Sequence, residues 1–299
     1  MNYKRIIRSQ QLRFKILEKL TWVPDTVMLR IQYCIKMGFW PNFKRPTRFT
    51  EKLQLYKMKY RNPVMPQCVD KYEVRKYVEE KGLGHILNEL YGVYDSPDMI
   101  DFDNLPRQFV VKTTDGGGGL NVIVVKNKQE ADLSKIREQL ALWGAGQERK
   151  RTKPSGREWA YLGIKKRRII IEKYLVDTRM GGELSDYKFF CFNGKPLCVQ
   201  FDTGRFGGHH QNYYDMQWQS LGVHCSYPEG ELRPAPKNFE EMKRIAAQLS
   251  AEFPFVRVDL YNISGTIYFG ELTFYPSSGY GKFYPDDFDK QLGSYFTEY

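Results

Sequence analysis

Asn193-Gly194 sits between two short runs rich in Phe, Tyr, Val and Cys, residues 186–192 and 196–201. Asn and Gly both tolerate positive φ, and the pair closes a two-residue β-hairpin whose twist matches the strands it joins. A connection that short holds no crossover helix, so the two runs must pair antiparallel. This part of the chain is therefore not an all-parallel, doubly wound sheet. Residues 255–261 and 266–274 repeat the arrangement, with Ser264-Gly265 near their junction. Two further apolar runs, 109–112 and 122–125, flank a glycine-rich stretch. The expectation is an α+β fold with antiparallel sheet after residue 108.

Before that point the pattern is helical. Ile6, Ile7, Ile16, Leu17 and Leu20 recur at partly helical spacing among Lys4, Arg5, Arg8, Arg13, Lys15 and Lys19. Thr50 is placed to cap a helix over 51–60, with Glu51 in the first turn, where the macrodipole favours an acid. Residues 70–81 form another candidate helix, stopped by Gly82 and Gly84. Helices are also expected over 133–143 and 239–253. Residues 149–168 carry nine Lys or Arg and read as an exposed basic segment.

At 299 residues the chain can bury a large core without disulfides. No apolar run approaches the roughly 18 residues of a membrane-spanning helix, and the first 20 residues lack the apolar centre of a secretory signal. The five cysteines form no C-x-x-C pair and read as reduced thiols of a cytoplasmic protein. The 46 Lys and Arg against 35 Asp and Glu leave +11, which favours polyanionic partners without choosing among them. No RRM, KH or zinc-finger pattern is present, so a stable nucleic-acid partner is not expected. The aromatic residues are spread among the strands and read as core.

Three places carry residues with chemical potential. Lys112 ends a strand, and Gly116, Gly117, Gly118 and Gly119 follow it. Glycines let backbone N–H groups approach phosphate closely, and lysine adds a point charge. The run is not a Walker loop, because no G-K-[ST] closes it. It is either a flap over nucleotide phosphates or a flexible hairpin tip. Next, strand periodicity puts Arg257 and Asp259 on one face of 255–261, and Glu271 and Thr273 on one face of 266–274. A three-residue loop with Gly265 in the left-handed region makes the two faces coincide, whereas an even-length loop turns one carboxylate away. Facing carboxylates suit Mg²⁺ shared with substrate phosphates, or else an ion cluster around Arg257. The third place is an apolar strand, 169–171, that runs into Glu172-Lys173-Tyr174-Leu175. After the 196–201 strand, Asp202, Arg205, His209, His210 and Asn212 lie in a Gly-rich stretch. Arg205 is a candidate for holding a carboxylate or phosphate, and His209 for accepting a proton. Lys71 is an alternative phosphate ligand.

The order of these places, a lysine strand with a glycine flap, then E-K-Y-L, then R-x-D, then E-x-T, resembles the ATP-grasp superfamily. F-T-E-K-L-Q at 49–54, D-K-Y-E-V-R at 70–75, D-Y-K-F-F-C-F-N-G-K at 186–195 and G-E-L-T-F-Y-P at 270–276 sharpen the resemblance to its TupA-like branch. That branch is linked to teichuronopeptide and surface or capsular polysaccharide synthesis. The resemblance covers about residues 45–290. It implies an ATP-grasp fold with a helical N-terminal region (1–65), a connecting α/β segment (66–107), a flap and central subdomain (108–175) and a C-terminal catalytic subdomain (176–299).

The resemblance also implies roles. Lys112 holds the ATP phosphates under the flap of Gly116 to Gly119. Glu172 and the backbone of Lys173 and Leu175 take the adenine, and Asp186 takes the ribose. Asp259, Glu271 and Thr273 bind Mg²⁺, and Arg257 stabilises an acyl phosphate. Thr273 stands where the superfamily commonly has Asn, and residues 1–60 lack the strands of a Rossmann-like opening. The implied activity is ATP- and Mg²⁺-dependent carboxylate–amine ligation, joining an amino acid to a uronic-acid carboxyl on a glycan. The implied setting is cytoplasmic, with peripheral contact to membrane-bound polysaccharide machinery. The rival readings are a nucleotide-sugar-using glycosyltransferase or accessory protein, and a basic nucleic-acid-binding module.

Overall fold

The structure is a computed structural model, and it describes residues 9, 12, 16, 17, 19–117, 121–148, 156–177, 184–204 and 207–299. The helices with defined bounds that precede the sheets among the described residues are α1 (Asp25–Met37), α2 (Phe49–Lys59), α3 (Met65–Val69) and α4 (Val74–Glu80). A four-stranded sheet follows, built from β1 (Leu90–Tyr94), β2 (Phe109–Thr113), β3 (Val122–Val125) and β4 (Ile169–Lys173) in the order β1-β4-β2-β3. Helix α5 (Leu133–Leu142) covers it. A five-stranded sheet takes β5 (Asp186–Phe192), β6 (Lys195–Thr203), β7 (His210–Asp215), β8 (Phe255–Ile263) and β9 (Thr266–Thr273) in the order β7-β6-β5-β8-β9. Helices α6 (Phe239–Ser250) and α7 (Asp287–Tyr295) complete the described elements. Among the described residues every strand pairing is antiparallel. The structure is thus α+β with two antiparallel sheets. Strand β1 has no counterpart in the sequence expectations, because its five residues show no clear alternation and its pairing with β4 breaks register beside Gly92.

The Asn193-Gly194 hairpin forms as expected, with φ of 48° and 74°. The β8–β9 connection differs from expectation. Ile263 pairs with Thr266, leaving only Ser264 and Gly265 in the turn, at φ of 58° and 90°. An even turn alone would set Asp259 and Glu271 on opposite faces. The register shifts between Asp259 and Leu260, and Asp259 then pairs directly with Glu271. A bulge at Gly270 supplies the missing residue. A Cβ on Gly270 would stand 2.8 Å from the Asp259 carbonyl oxygen, so the close approach admits only glycine without rearrangement.

The larger core is aromatic, and the Phe49 ring sits in it. Its centroid lies 4.8 Å from that of Phe255, 5.8 Å from Phe192 and 6.0 Å from Phe296. Helix α2 starts one residue before Thr50, which is therefore inside the helix and not its cap. Tertiary contact takes the hydroxyl instead: Thr50 N–H and Oγ1 donate to Asp289 of α7 at 2.9 and 2.7 Å. The first turn is satisfied by Glu51, which accepts from the N–H groups of Asn42, Thr47 and Arg48. Helix α4 begins at Val74, later than expected, because the Asp70 carboxylate accepts from Tyr72 and Glu73 N–H and holds a turn there.

The basic segment is not simply solvated. Arg157 is buried and donates to the carbonyls of Leu20, Thr21 and Val23. Arg167 pairs with Asp115 at 2.7 Å, and Arg168 pairs with Glu73 at 2.6 Å. Residues 149–155 lie outside the described residues.

Candidate active site

Alternation along the five-stranded sheet buries Tyr187 and Phe189 on one face and turns Asp186 and Lys188 to the other. On that second face, register aligns Gln200, Lys188, Asp259 and Glu271 across β6, β5, β8 and β9. The next row sets Arg257 against Thr273. Arg257 grips Asp259 with two hydrogen bonds, Nε to Oδ1 at 2.7 Å and Nη2 to Oδ2 at 2.6 Å. The same Nη2 reaches Thr273 Oγ1 at 3.3 Å and stands 3.8 Å from Glu271 Oε1. Thr273 Oγ1 donates to Glu271 Oε1 at 3.2 Å. The four residues expected to work together are together.

The two carboxylates are tuned in opposite directions. Burial pushes Asp259 up to about 6, although Arg257 and Lys188 oppose it. Burial acts on Glu271 too, but the cations Lys71, Arg257 and Lys188 outweigh it and hold its carboxyl below the ordinary value. Burial also opposes the charge of Arg257, and the Asp259 carboxylate overcomes this and keeps the guanidinium protonated. Glu271 keeps 41% of its side chain exposed to the cleft, whereas Asp259 keeps 5%.

Lys188 is the residue the sequence reading passed over. Its ammonium lies 3.1 Å from Asp186 and 3.2 Å from Asp202, within ion-pairing distance though not aligned for a hydrogen bond to either. The signal was available: a lysine in the middle of an apolar strand must find carboxylates or leave its charge uncompensated. Asp202 is held ionised by Lys188 and by a hydrogen bond from Gln200 Nε2 at 2.9 Å, against the effect of burial. Tyr213 OH donates to Gln200 Oε1 at 2.8 Å and extends the network to β7.

This face forms the floor of a cleft of about 480 Å³, lined by Lys188, Arg257, Glu271, Thr273, His209 and Gly117. His209 stacks on Tyr227 with 3.7 Å between ring centroids, and its Nε2 lies 3.7 Å from Asp202 Oδ2. Arg205, Gly118 and Gly119 lie outside the described residues.

A second group sits on the four-stranded sheet. Lys112 Nζ lies 2.8 Å from Glu172 Oε2, and Arg75 Nη1 reaches Glu172 Oε1 at 3.4 Å. Glu172 thus serves as counter-ion to two cations. The Lys173 N–H donates to the Glu89 carbonyl at 3.0 Å, and its carbonyl accepts from Asn88. Leu175 follows the end of β4. Lys71 links the two groups: its N–H donates to Thr114 O, its ammonium contacts the Gly116 carbonyl, and burial lowers its pKa despite the charge of Glu271. Asp186, expected at the ribose, lies beside Lys188 on the large sheet, paired in register with Asp202 and Tyr261.

The cleft thus brings Gly117, which follows β2 of the smaller sheet, together with the Arg257, Glu271 and Thr273 side chains of the larger one. The family described as TupA-like ATP-grasp matches residues 51–297, and the chain belongs to it. No curated protein matches the chain. Among solved structures, the chain is similar to D-alanine–D-alanine ligase from Bacillus anthracis, at 18% identity over 69% of this chain and 57% of that one, with a TM-score of 0.43. The corresponding ligase from Helicobacter pylori shows 16% identity over 77% and 60%, with a TM-score of 0.41. Phosphoribosylamine–glycine ligase from Thermotoga maritima shows 12% identity over 72% and 50%, with a TM-score of 0.43. The chain spans little more than half the length of these proteins.

Proposed function

We propose that the protein is an ATP- and Mg²⁺-dependent carboxylate–amine ligase that joins an amino acid to the uronic-acid carboxyl of a surface-polysaccharide precursor. The observation that carries this reading is the Arg257, Asp259, Glu271 and Thr273 group, assembled in register beneath Gly117. A carboxylate is a poor electrophile. Transfer of the γ-phosphoryl group converts it to an acyl phosphate and leaves ADP. The amine then attacks the acyl carbon, phosphate departs, and the amine nitrogen loses a proton to give the amide. The first step is mainly positioning and charge neutralisation.

Each residue has a place in this scheme. Lys112 and Lys71 hold phosphate oxygens, with the glycines closing over them. Glu172 and the Lys173–Leu175 backbone border the base, and Asp186 takes a sugar hydroxyl. Arg257 neutralises the acyl phosphate and the tetrahedral species that follows. Arg205 and Lys188 attract the acid substrate, and His209 accepts the amine proton. Among the described residues no three His, Cys, Asp or Glu side chains gather to ligate a metal by themselves. The donor set of two carboxylates and a hydroxyl nevertheless fits Mg²⁺, which takes few protein oxygens and completes its shell with water and phosphate. Asp259, Glu271 and Thr273 would hold it, and it would supply charge neutralisation at the phosphates.

Calorimetry with Mg·ATP, using GTP and a nucleotide sugar as competitors, tests the nucleotide assignment. Selective ATP binding, weakened roughly tenfold or more in Lys112→Ala by loss of a charge-assisted contact, is expected. Unchanged affinity in the variant, or preference for the nucleotide sugar, removes the assignment. ADP release that requires both a uronic acid and an amino acid then tests the ligation.

A further inference from the structure

Residues 1–48 carry eleven Lys or Arg against two Asp or Glu, so this stretch holds +9 of the chain's +11. Helix α1 lies within it and is apolar on two sides. Its inner side, with Met28, Leu29, Tyr33 and Met37, is buried. Tyr33 OH lies 2.8 Å from Thr50 Oγ1, and Tyr280 OH donates to Gln32 Oε1 at 2.8 Å. At about 100° per residue, Val27, Ile31 and Ile35 form a separate stripe on the opposite side. They are 47%, 42% and 48% exposed, and Trp40, three residues after the helix, is 66% exposed. Trp22, just before the helix, is 78% exposed. Single exposed apolar residues are ordinary, but a contiguous row of them is not.

Among described residues 19–48 the charged side chains are mostly basic, and Arg48, which lies over the Phe39 ring, is paired with Asp286 at 2.6 Å. Arg30 on the helix, and Lys44 and Arg45 shortly after it in the sequence, are exposed. The only acid among described residues 19–48 is Asp25, which lies 3.4 Å from Arg157. Exposed aliphatic side chains, exposed tryptophans before and after the helix, and a predominantly basic local sequence match the boundary between anionic headgroups and acyl chains. We propose that the outer face of α1, with Trp22 and Trp40, docks the protein peripherally on an anionic lipid bilayer. Among the described residues no helix is long and apolar enough to cross a membrane, so contact by this face is interfacial. Because Thr50 both braces α1 and lines the cleft, docking fixes the cleft relative to the bilayer. The proposal stands independently of the ligase reading.

The test is co-sedimentation of the full chain with vesicles of phosphatidylcholine alone and of phosphatidylcholine mixed with phosphatidylglycerol. Binding to the anionic vesicles is expected to be tighter by roughly tenfold or more, and to weaken as salt rises. Ile31→Glu combined with Ile35→Glu should abolish it while circular dichroism and Mg·ATP binding stay unchanged. Lys44→Glu combined with Arg45→Glu should remove the lipid-charge preference and leave the apolar stripe in place. Three results overturn the proposal. They are failure to bind either vesicle, binding that survives the Ile31/Ile35 variant, and a dimer in solution that this variant disperses without any vesicle binding.

Discussion

Arg257 and Asp259 form a buried pair whose two members have separate tasks in the proposed ligation, one at an acyl phosphate and one at a cation. Asp259→Asn keeps the shape and removes the charge. The expected result is loss of Mg²⁺-dependent turnover in a protein that still folds. Its melting temperature should fall, because the buried Arg257 loses its two-point ion pair with Asp259. An active variant removes Asp259 from the cation site. The same residue predicts a pH dependence. Its carboxyl is raised from 3.8 to about 6 in the folded protein, mainly by burial. Mg²⁺-dependent ATP affinity should therefore drop as pH falls through about 6, where Asp259 gains a proton. Its effect on stability has the opposite sign: the folded state binds this proton more tightly than the unfolded chain, so the stabilisation is present at low pH and is lost as pH rises through about 6. Titration calorimetry across this range reads the first effect, and an Asp259→Asn control isolates it.

At the scale of the element, the β8–β9 hairpin decides whether the residue-level chemistry exists. A two-residue turn and one bulge together do what a three-residue turn does in a regular ladder, restoring the parity that lets Asp259 meet Glu271. Gly270→Ala places a Cβ 2.8 Å from the Asp259 carbonyl oxygen and 3.3 Å from its carbonyl carbon. The expected cost is about 1–3 kcal/mol from overpacking. Because the strain falls on the backbone of Asp259 itself, Mg·ATP affinity should drop with stability. Thermal melting and calorimetry on the one variant measure both, and a variant with unchanged affinity separates the bulge from the site.

For the whole molecule, the connection runs through Phe49 and Thr50. Phe49 packs on strands β5 and β8 and on Phe296, while Thr50 ties the same turn of α2 to α7 and to α1. Phe49→Ala removes a ring that is 2% exposed and leaves a cavity at this junction. A loss of about 3–5 kcal/mol is expected by denaturant unfolding. A loss below 1 kcal/mol means that the N-terminal helices are not integral to the core that supports the cleft. Charge is distributed less evenly than packing: residues 1–48 are strongly basic, and the rest of the chain is nearly balanced.

Local chemistry is what the sequence determined unaided. Asn193-Gly194 dictates its hairpin because both residues accept positive φ, and β3 and β5 fall at the bounds their apolar runs predict. Two-residue alternation placed Arg257 with Asp259, and Glu271 with Thr273, because side-chain direction along a strand is a short-range property. Which of those faces meet is a long-range one. The bulge at Gly270, the capture of Lys188 by Asp186 and Asp202, the pairing of Lys112 with Glu172 and the inward turn of Arg157 each join residues brought together only by the fold. Thr50 shows the same limit at a helix end, where Asp289, 239 positions away, takes the hydroxyl that local rules assign to a cap. Such pairings depend on which backbones approach each other and how much water they exclude, and only the tertiary structure sets those distances.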